Sequence, residues 1–214
     1  MIKIARSPKP VIIEQNQQAW TRALLNASTD AEKRKAESKY RHRLIKDALV
    51  AMFHGKCAYC ESKISHVDYG HIEHFKPKSR FPDLTFEWTN LLLSCPICNG
   101  SEYKSDRFPL ETEGGPLVNP CDELPAEHFE FVFDPVAKLA TVIGKTARGQ
   151  TTEAIVGLNR YDLREYRSKI VMMLYVLSDY AKADPTAQAL LKEAGQDEGE
   201  YAAFVRALVG CWQP

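Results

Sequence analysis

The residues with the most specific chemistry are two cysteine pairs, Cys57-Ala-Tyr-Cys60 and Cys95-Pro-Ile-Cys98. A gap of two residues lets both thiolates of one turn reach a single tetrahedral ion, and four soft thiolates in a closed shell favour structural zinc. Two unrelated pairs of buried thiols would not explain why the gaps are equal and why both lie beside turn residues. Between Cys60 and Cys95 stand 34 residues, more than the roughly 15 to 20 of a simple zinc ribbon, so a folded insert is expected there. The two remaining cysteines, Cys121 and Cys211, are expected to be an unreactive loop thiol and a buried thiol at a helix end, because cysteine usually packs as a small hydrophobe.

The insert holds Gly70-His71-Ile72-Glu73-His74-Phe75-Lys76-Pro77-Lys78-Ser79, then Trp88-Thr89-Asn90-Leu91, and the second cysteine pair runs straight into Asn99. A cysteine pair, an acid followed by His-x-x-Pro, an Asn-Leu, a second cysteine pair and an immediate polar residue together resemble the HNH endonuclease family. The resemblance implies a ββα-metal site: two strands and one helix around a single divalent cation, with zinc pinning the ends of the motif. It implies His74 as the general base for the attacking water, a role that suits an imidazole of unperturbed pKa about 6.5. It further implies Glu73 as the acid that holds the catalytic cation and Asn90 as the residue that ties down the loop behind His74. Asn99 stands where the family's last His usually sits. An amide oxygen beside a carboxylate makes a hard site, suited to magnesium or manganese rather than a second zinc. Lys104 and Arg107 on one side, with Lys76, Lys78 and Arg80 on the other, are expected to grip phosphate without sequence preference. His71 would share a strand face with Glu73, which fits a substrate contact, a partner behind Glu73 or a structural role.

Flanking stretches are similar to PtuB, the HNH component of Septu anti-phage systems that also occurs in some retron operons. They are the opening Met-Ile-Lys-Ile, Lys104-Ser105-Asp106-Arg107-Phe108-Pro109-Leu110, Val118-Asn119-Pro120-Cys121 and Gly157-Leu158-Asn159-Arg160. That resemblance implies a defence role and a partner, a PtuA-like ATPase of the ABC or SMC type.

These residues need elements to position them. A helix is predicted over residues 14–26, and Thr29 with Glu32 forms a capping box that opens a second helix. That helix is predicted to run to His54-Gly55 and to bury Leu44, Ala48, Leu49, Met52 and Phe53. Residues 57–110 are turn-rich, with no long helical period before the stretch after Cys98. Phe129–Phe133 and Lys138–Ile143, on either side of Asp134-Pro135, are predicted to form a hairpin. Asp162 with Glu165 is read as a capping box before the apolar run Ile170–Leu177, and Pro185 as the first residue of a further helix. Tyr161, Tyr166 and Tyr175 are expected mainly in the core, with one helix face left for docking, and a last helix spans about residues 198–211. The expected fold class is α+β, mostly α: a zinc-stapled ββα-metal core flanked by N-terminal and C-terminal helices. As a single domain, residues 1–54 would supply N-terminal helices, 55–110 the core, 111–150 a loop and hairpin, and 151–214 the C-terminal helices.

Composition narrows the partners. With 214 residues, 44% hydrophobic and 26% charged, the chain can bury a core. No apolar run approaches the roughly 18 residues of a membrane span and the first residues lack the apolar stretch of a signal peptide, so a cytoplasmic location is expected. Twenty-eight basic residues balance 28 acidic ones, which excludes a strong global positive field. The charge is uneven, however: residues 30–56 carry eight Lys or Arg against four acids, and residues 184–214 two against five. Three activities fit: metal-dependent cleavage of DNA, which is favoured; the same chemistry on RNA; and a zinc-stabilised adaptor without catalysis. A pure adaptor would need none of Glu73, His74 and Asn99.

Overall fold

The computed structural model describes residues 1–66 and 68–210, so the position expected of Cys211 lies outside the described residues. The chain forms two compact units. One comprises Ile4–Ala58 with Lys63–Phe108, and the other Met1–Lys3, Tyr59–Ser62 and the chain from Pro109 onward.

In the first unit, α1 spans Val11–Leu25. It starts earlier than the sequence suggests because the Pro10 carbonyl accepts the amides of Ile13 and Glu14 at 2.9 and 3.0 Å. Helix α2, Asp30–Glu37, opens on the predicted capping box. The amide of Glu32 donates to Thr29 Oγ1 at 3.2 Å, and Glu32 Oε2 accepts the Thr29 amide at 3.1 Å. The single long helix expected to follow is interrupted. Ser38–Arg41 tighten into a 3-10 turn, His42 leaves the helical region at φ −59°, ψ 136°, and its Nδ1 accepts the Leu44 amide to start α3, Arg43–Met52. This restart rotates the buried stripe. Ile45, Leu49, Met52 and Phe53 face inward, whereas Leu44, expected inside, is 53% exposed.

Strands β1, His71–His74, and β2, Leu91–Ser94, pair antiparallel with His71 opposite Ser94 and His74 opposite Leu91. All four residues of β2 are buried, while β1 goes from exposed His71 to buried Glu73 and His74. Gly70 turns the chain into β1 at φ +65°, where a Cβ would sit 3.2 Å from the Leu93 side chain. Trp20 meets Phe86 edge to face at 5.5 Å, within a cluster of Leu24, Tyr40 and Phe86. Beyond β2 the chain makes one helical turn, Asn99 N–H to the Cys95 carbonyl at 3.2 Å. The longer helical stretch expected after Cys98 is replaced by successive turns, because the Lys104 amide returns to the Cys98 carbonyl at 3.1 Å and Ser105 adopts φ +44°.

In the second unit the predicted hairpin forms from β3, Phe129–Asp134, and β4, Leu139–Gly144. It follows the single turn α4, Pro125–His128, and precedes α5, Ala147–Ile155, and α6, Tyr161–Tyr180. No side chain caps α6, so Asp162 lies inside its first turn and the expected capping box is absent. Tyr161 and Tyr166 are 72% and 47% exposed rather than core; what α6 buries instead includes Arg167. That guanidinium donates to the carbonyls of Ala140 and Leu158 at 2.7 Å each and lies 5.0 Å from the Phe204 ring. Burial lowers its pKa to about 10. Asn159 binds Val142 on both backbone groups at 3.0 and 2.7 Å, so the Gly157–Arg160 segment holds β4 in place. Helix α7, Pro185–Ala194, opens with Pro185 at its first position as predicted, with Asp184 as its cap, and α8 spans Ala202–Gly210. No described helix is long and apolar enough to cross a membrane.

Candidate active site

The four cysteines of the two pairs converge. Their sulfurs all lie within 4.8 Å of one another, with Cys57, Cys60 and Cys98 buried and Cys95 partly so. Thiolates around one zinc at about 2.3 Å would stand roughly 3.8 Å apart, so the quartet fits a tetrahedral ion with small adjustments. Polar groups already address the sulfurs. The Cys98 amide donates to Cys95 Sγ at 3.3 Å, and the Ser94 hydroxyl lies 3.6 Å from Cys57 Sγ. Such contacts orient metal ligands.

At the end of β1, His74 is 7% exposed. Its Nε2 lies 3.0 Å from the Thr85 carbonyl oxygen, and a carbonyl only accepts, so Nε2 carries the proton and Nδ1 keeps its lone pair. Burial pushes the pKa of His74 down to about 4, against the raising effect of the Thr85 carbonyl, and Lys78 and Lys104 add to the depression. The ring is therefore neutral at neutral pH and able to accept a proton. Tyr40 packs edge to face on it at 4.7 Å.

Glu73, 3% exposed, forms an ion pair with Lys104, whose side chain is fully buried. Lys104 Nζ also donates to the His74 carbonyl at 3.0 Å. Asn90 holds the loop that follows. Its Oδ1 accepts the Lys76 amide at 2.7 Å, and its Nδ2 donates to the carbonyls of Lys76 and Leu84 at 3.0 and 3.2 Å. Both ends of the loop carrying Lys76 and Thr85 are thus tied to one side chain.

Residues 57–105 match the HNH endonuclease family. The chain carries an HNH domain. The chain is also 33% identical over 157 residues to the Septu protein PtuB of Bacillus mycoides (strain KBAB4), covering 61% of this chain and 52% of that one. It is 34% identical over 128 residues to the PtuB of Bacillus thuringiensis, covering 59% and 46%. The Septu protein PtuA of B. mycoides is 25% identical over 154 residues, 59% of this chain and 21% of that protein. The chain spans about half the length of the PtuB relatives it matches.

Within the HNH domain, Glu73, His74 and Asn99 line one open groove with Tyr40, Lys78 and Ser79. The other residues expected to touch phosphate divide. Lys76 is exposed and lies 5.8 Å from the Phe81 ring, and Lys78 is half-buried and paired with Glu37 at 2.9 Å. Arg107 is exposed and donates to the carbonyls of Glu102 and Ser101 at 2.9 and 3.3 Å. Lys104 is in the interior rather than on a phosphate-facing surface, because the buried Glu73 carboxylate needs its charge. Three contributors to the site carry no signal in the sequence: Tyr40, Thr85 and Arg6. The Arg6 guanidinium donates to the carbonyls of Trp88, Thr89 and Leu91 at 2.8, 3.0 and 2.7 Å, which clamps the turn that presents Asn90. Their partners stand 11 to 85 residues away, so no local spacing could reveal them.

Proposed function

We propose that this HNH domain hydrolyses phosphodiester bonds in nucleic acid, with DNA the favoured substrate, and that the chain is the effector of an anti-phage assembly. The observation that carries this reading is the convergence of a neutral, backbone-oriented His74 with the buried Glu73 carboxylate and Asn99 in one groove. In the proposed mechanism His74 takes the proton of the attacking water on Nδ1. The Thr85 carbonyl stabilises the imidazolium that results, while Asn90 keeps the ring aimed into the groove. Glu73 and Asn99 offer hard oxygen donors, a set that fits magnesium or manganese with water completing the shell. A cation bound there would neutralise charge on the phosphate and on the leaving oxygen. Lys104 pairs with the Glu73 carboxylate and holds it in place. Zinc in the cysteine quartet would staple the two ends of the motif, so that its removal disorders the groove without touching the reacting atoms.

A partner of the PtuA-like ATPase class is proposed on two grounds: the similarity to Septu proteins, and a net charge of zero, which leaves the chain little nonspecific affinity for polyanions on its own. The test is cleavage of DNA and of total RNA by the chain with and without such an ATPase, under magnesium or manganese, beside His74→Ala with bound zinc quantified. Cleavage that disappears in His74→Ala while zinc stays bound is expected. No cleavage of either polymer in any combination leaves the adaptor reading in its place, and cleavage of RNA alone reassigns the substrate.

A further inference from the structure

A second hollow adjoins the groove that Glu73 and His74 line. Tyr40, Ile72 and Asn99, which line that groove beside His74, also line the second hollow, of roughly 370 Å³, whose other walls are Arg41, Lys46, Gly70 and His71. Shared walls place the two hollows side by side. Among the described residues no acid lines the second hollow. The acids that act on its cations from nearby are already engaged: Glu37, beside Arg41, pairs with Lys78, and Asp68, beside Lys46, accepts the Gly70 amide at 2.9 Å.

The cations are held rather than loose. Arg41 Nε donates to the Tyr40 hydroxyl at 3.2 Å and its guanidinium lies 5.5 Å from that ring, and Tyr40 itself is wedged against His74. Lys46 Nζ donates to the Gly70 carbonyl at 2.6 Å, which uses one of its three hydrogens. His71 sits exposed at the first position of β1. A guanidinium fork and an ammonium fixed in one hollow suit phosphate oxygens.

We infer that Arg41 and Lys46, with His71 at the mouth, form a binding arm for the phosphates that flank the scissile bond, so that the strand is gripped from the α3 side of the groove. This rests on the nuclease reading and adds to it a phosphate grip on the α3 side, where Lys104, spent on Glu73, supplies none.

The test uses the full chain in a His74→Ala background, alone and with the PtuA-like ATPase, and follows anisotropy of a short labelled duplex and single strand between roughly 50 and 200 mM salt. Each lost phosphate contact lowers the slope of log K against log salt by about 0.9 on duplex or 0.7 on single strand. Arg41→Gln with Lys46→Gln should therefore flatten the slope by about 1.4 to 1.8 and weaken binding tenfold or more at the low-salt end. Lys33→Gln with Lys35→Gln removes the same charge from exposed positions of α2 outside the groove and should change affinity less than twofold. Arg41→Lys with Lys46→Arg should restore the slope. Zinc content and thermal midpoint equal to the parent's confirm the fold, and if the double variant fails that check, Arg41→Gln alone should show about half the slope loss. Equal loss in both double variants, or none in either, overturns the inference. Cleavage by the otherwise wild-type chain, run alongside, separates the two failures. Intact cleavage with unchanged binding in the arm variant sinks the arm alone, whereas a parent that neither binds nor cuts even with the PtuA-like ATPase present sinks the nuclease reading and the arm with it.

Discussion

Lys104 shows how far a residue's type can mislead when its partner is distant. Next to a cysteine pair and followed by Arg107, it reads as a surface cation, yet it is fully buried against Glu73 and the His74 carbonyl. Glu73 stands 31 positions earlier, and nothing in local spacing links the two. Removing one member of a buried ion pair strands the other charge, at a cost of about 3–5 kcal/mol. Lys104→Met should lose about that much stability in urea unfolding, and adding Glu73→Gln to it should recover most of the loss; an additive double variant would mean that the pair is not coupled. His74 and Asn90, in contrast, are legible as a motif, but not the reason they work. The carbonyl that sets the His74 tautomer belongs to Thr85, and Asn90 acts through backbone atoms of Lys76 and Leu84. Asn90→Asp sets a carboxylate against two carbonyls. Cleavage should fall on the order of a hundredfold, the penalty of about an ångström of misplacement, while zinc stoichiometry stays that of the parent.

At the level of elements, signals confined to a few residues are legible and those spanning a break are not. The Thr29 capping box and the Asp184-Pro185 start are complete within four residues, and both form. Thr29→Ala should cost about 1 kcal/mol in a chemical denaturation midpoint without altering cleavage, since no residue of α2 lines the groove or the hollow beside it. The apolar period from Leu44 to Phe53 does mark a helix, but its expected phase is wrong. The break at His42 lets α3 start afresh, and a fresh start substitutes Ile45 for Leu44 on the inner face. Asp162 and Glu165 satisfy the capping pattern too, yet α6 begins at Tyr161, one residue ahead of the supposed cap. The strands of the site are visible only through the motif, because four residues each are too few for alternation to show.

For the molecule as a whole, the chemistry is concentrated where the cysteine pairs point, whereas the second unit hides its polar interior. Arg148 takes both oxygens of Glu123 at 2.7 and 2.6 Å, and His128 Nε2 lies 3.0 Å from one of them. Burial alone would raise the carboxyl, but Arg148, the Asn119 amide and His128 together hold Glu123 below its ordinary value near 4.5. Its stabilisation is thus complete above that value and is lost as pH falls through the lower folded one. The gap in thermal midpoint between the parent and Glu123→Gln should be widest at neutral pH and close under acid; a gap that does not narrow would discount the cluster. The Arg6 clamp has a consequence at a distance. Its bonds close a span of 85 positions to the Leu91 carbonyl, a loop whose closure costs entropy that the contact must offset. The turn that aims Asn90, and through it the proposed base, thus depends on a residue near the start of the chain. A change at position 6 would be felt at the groove with none of the motif's own residues altered.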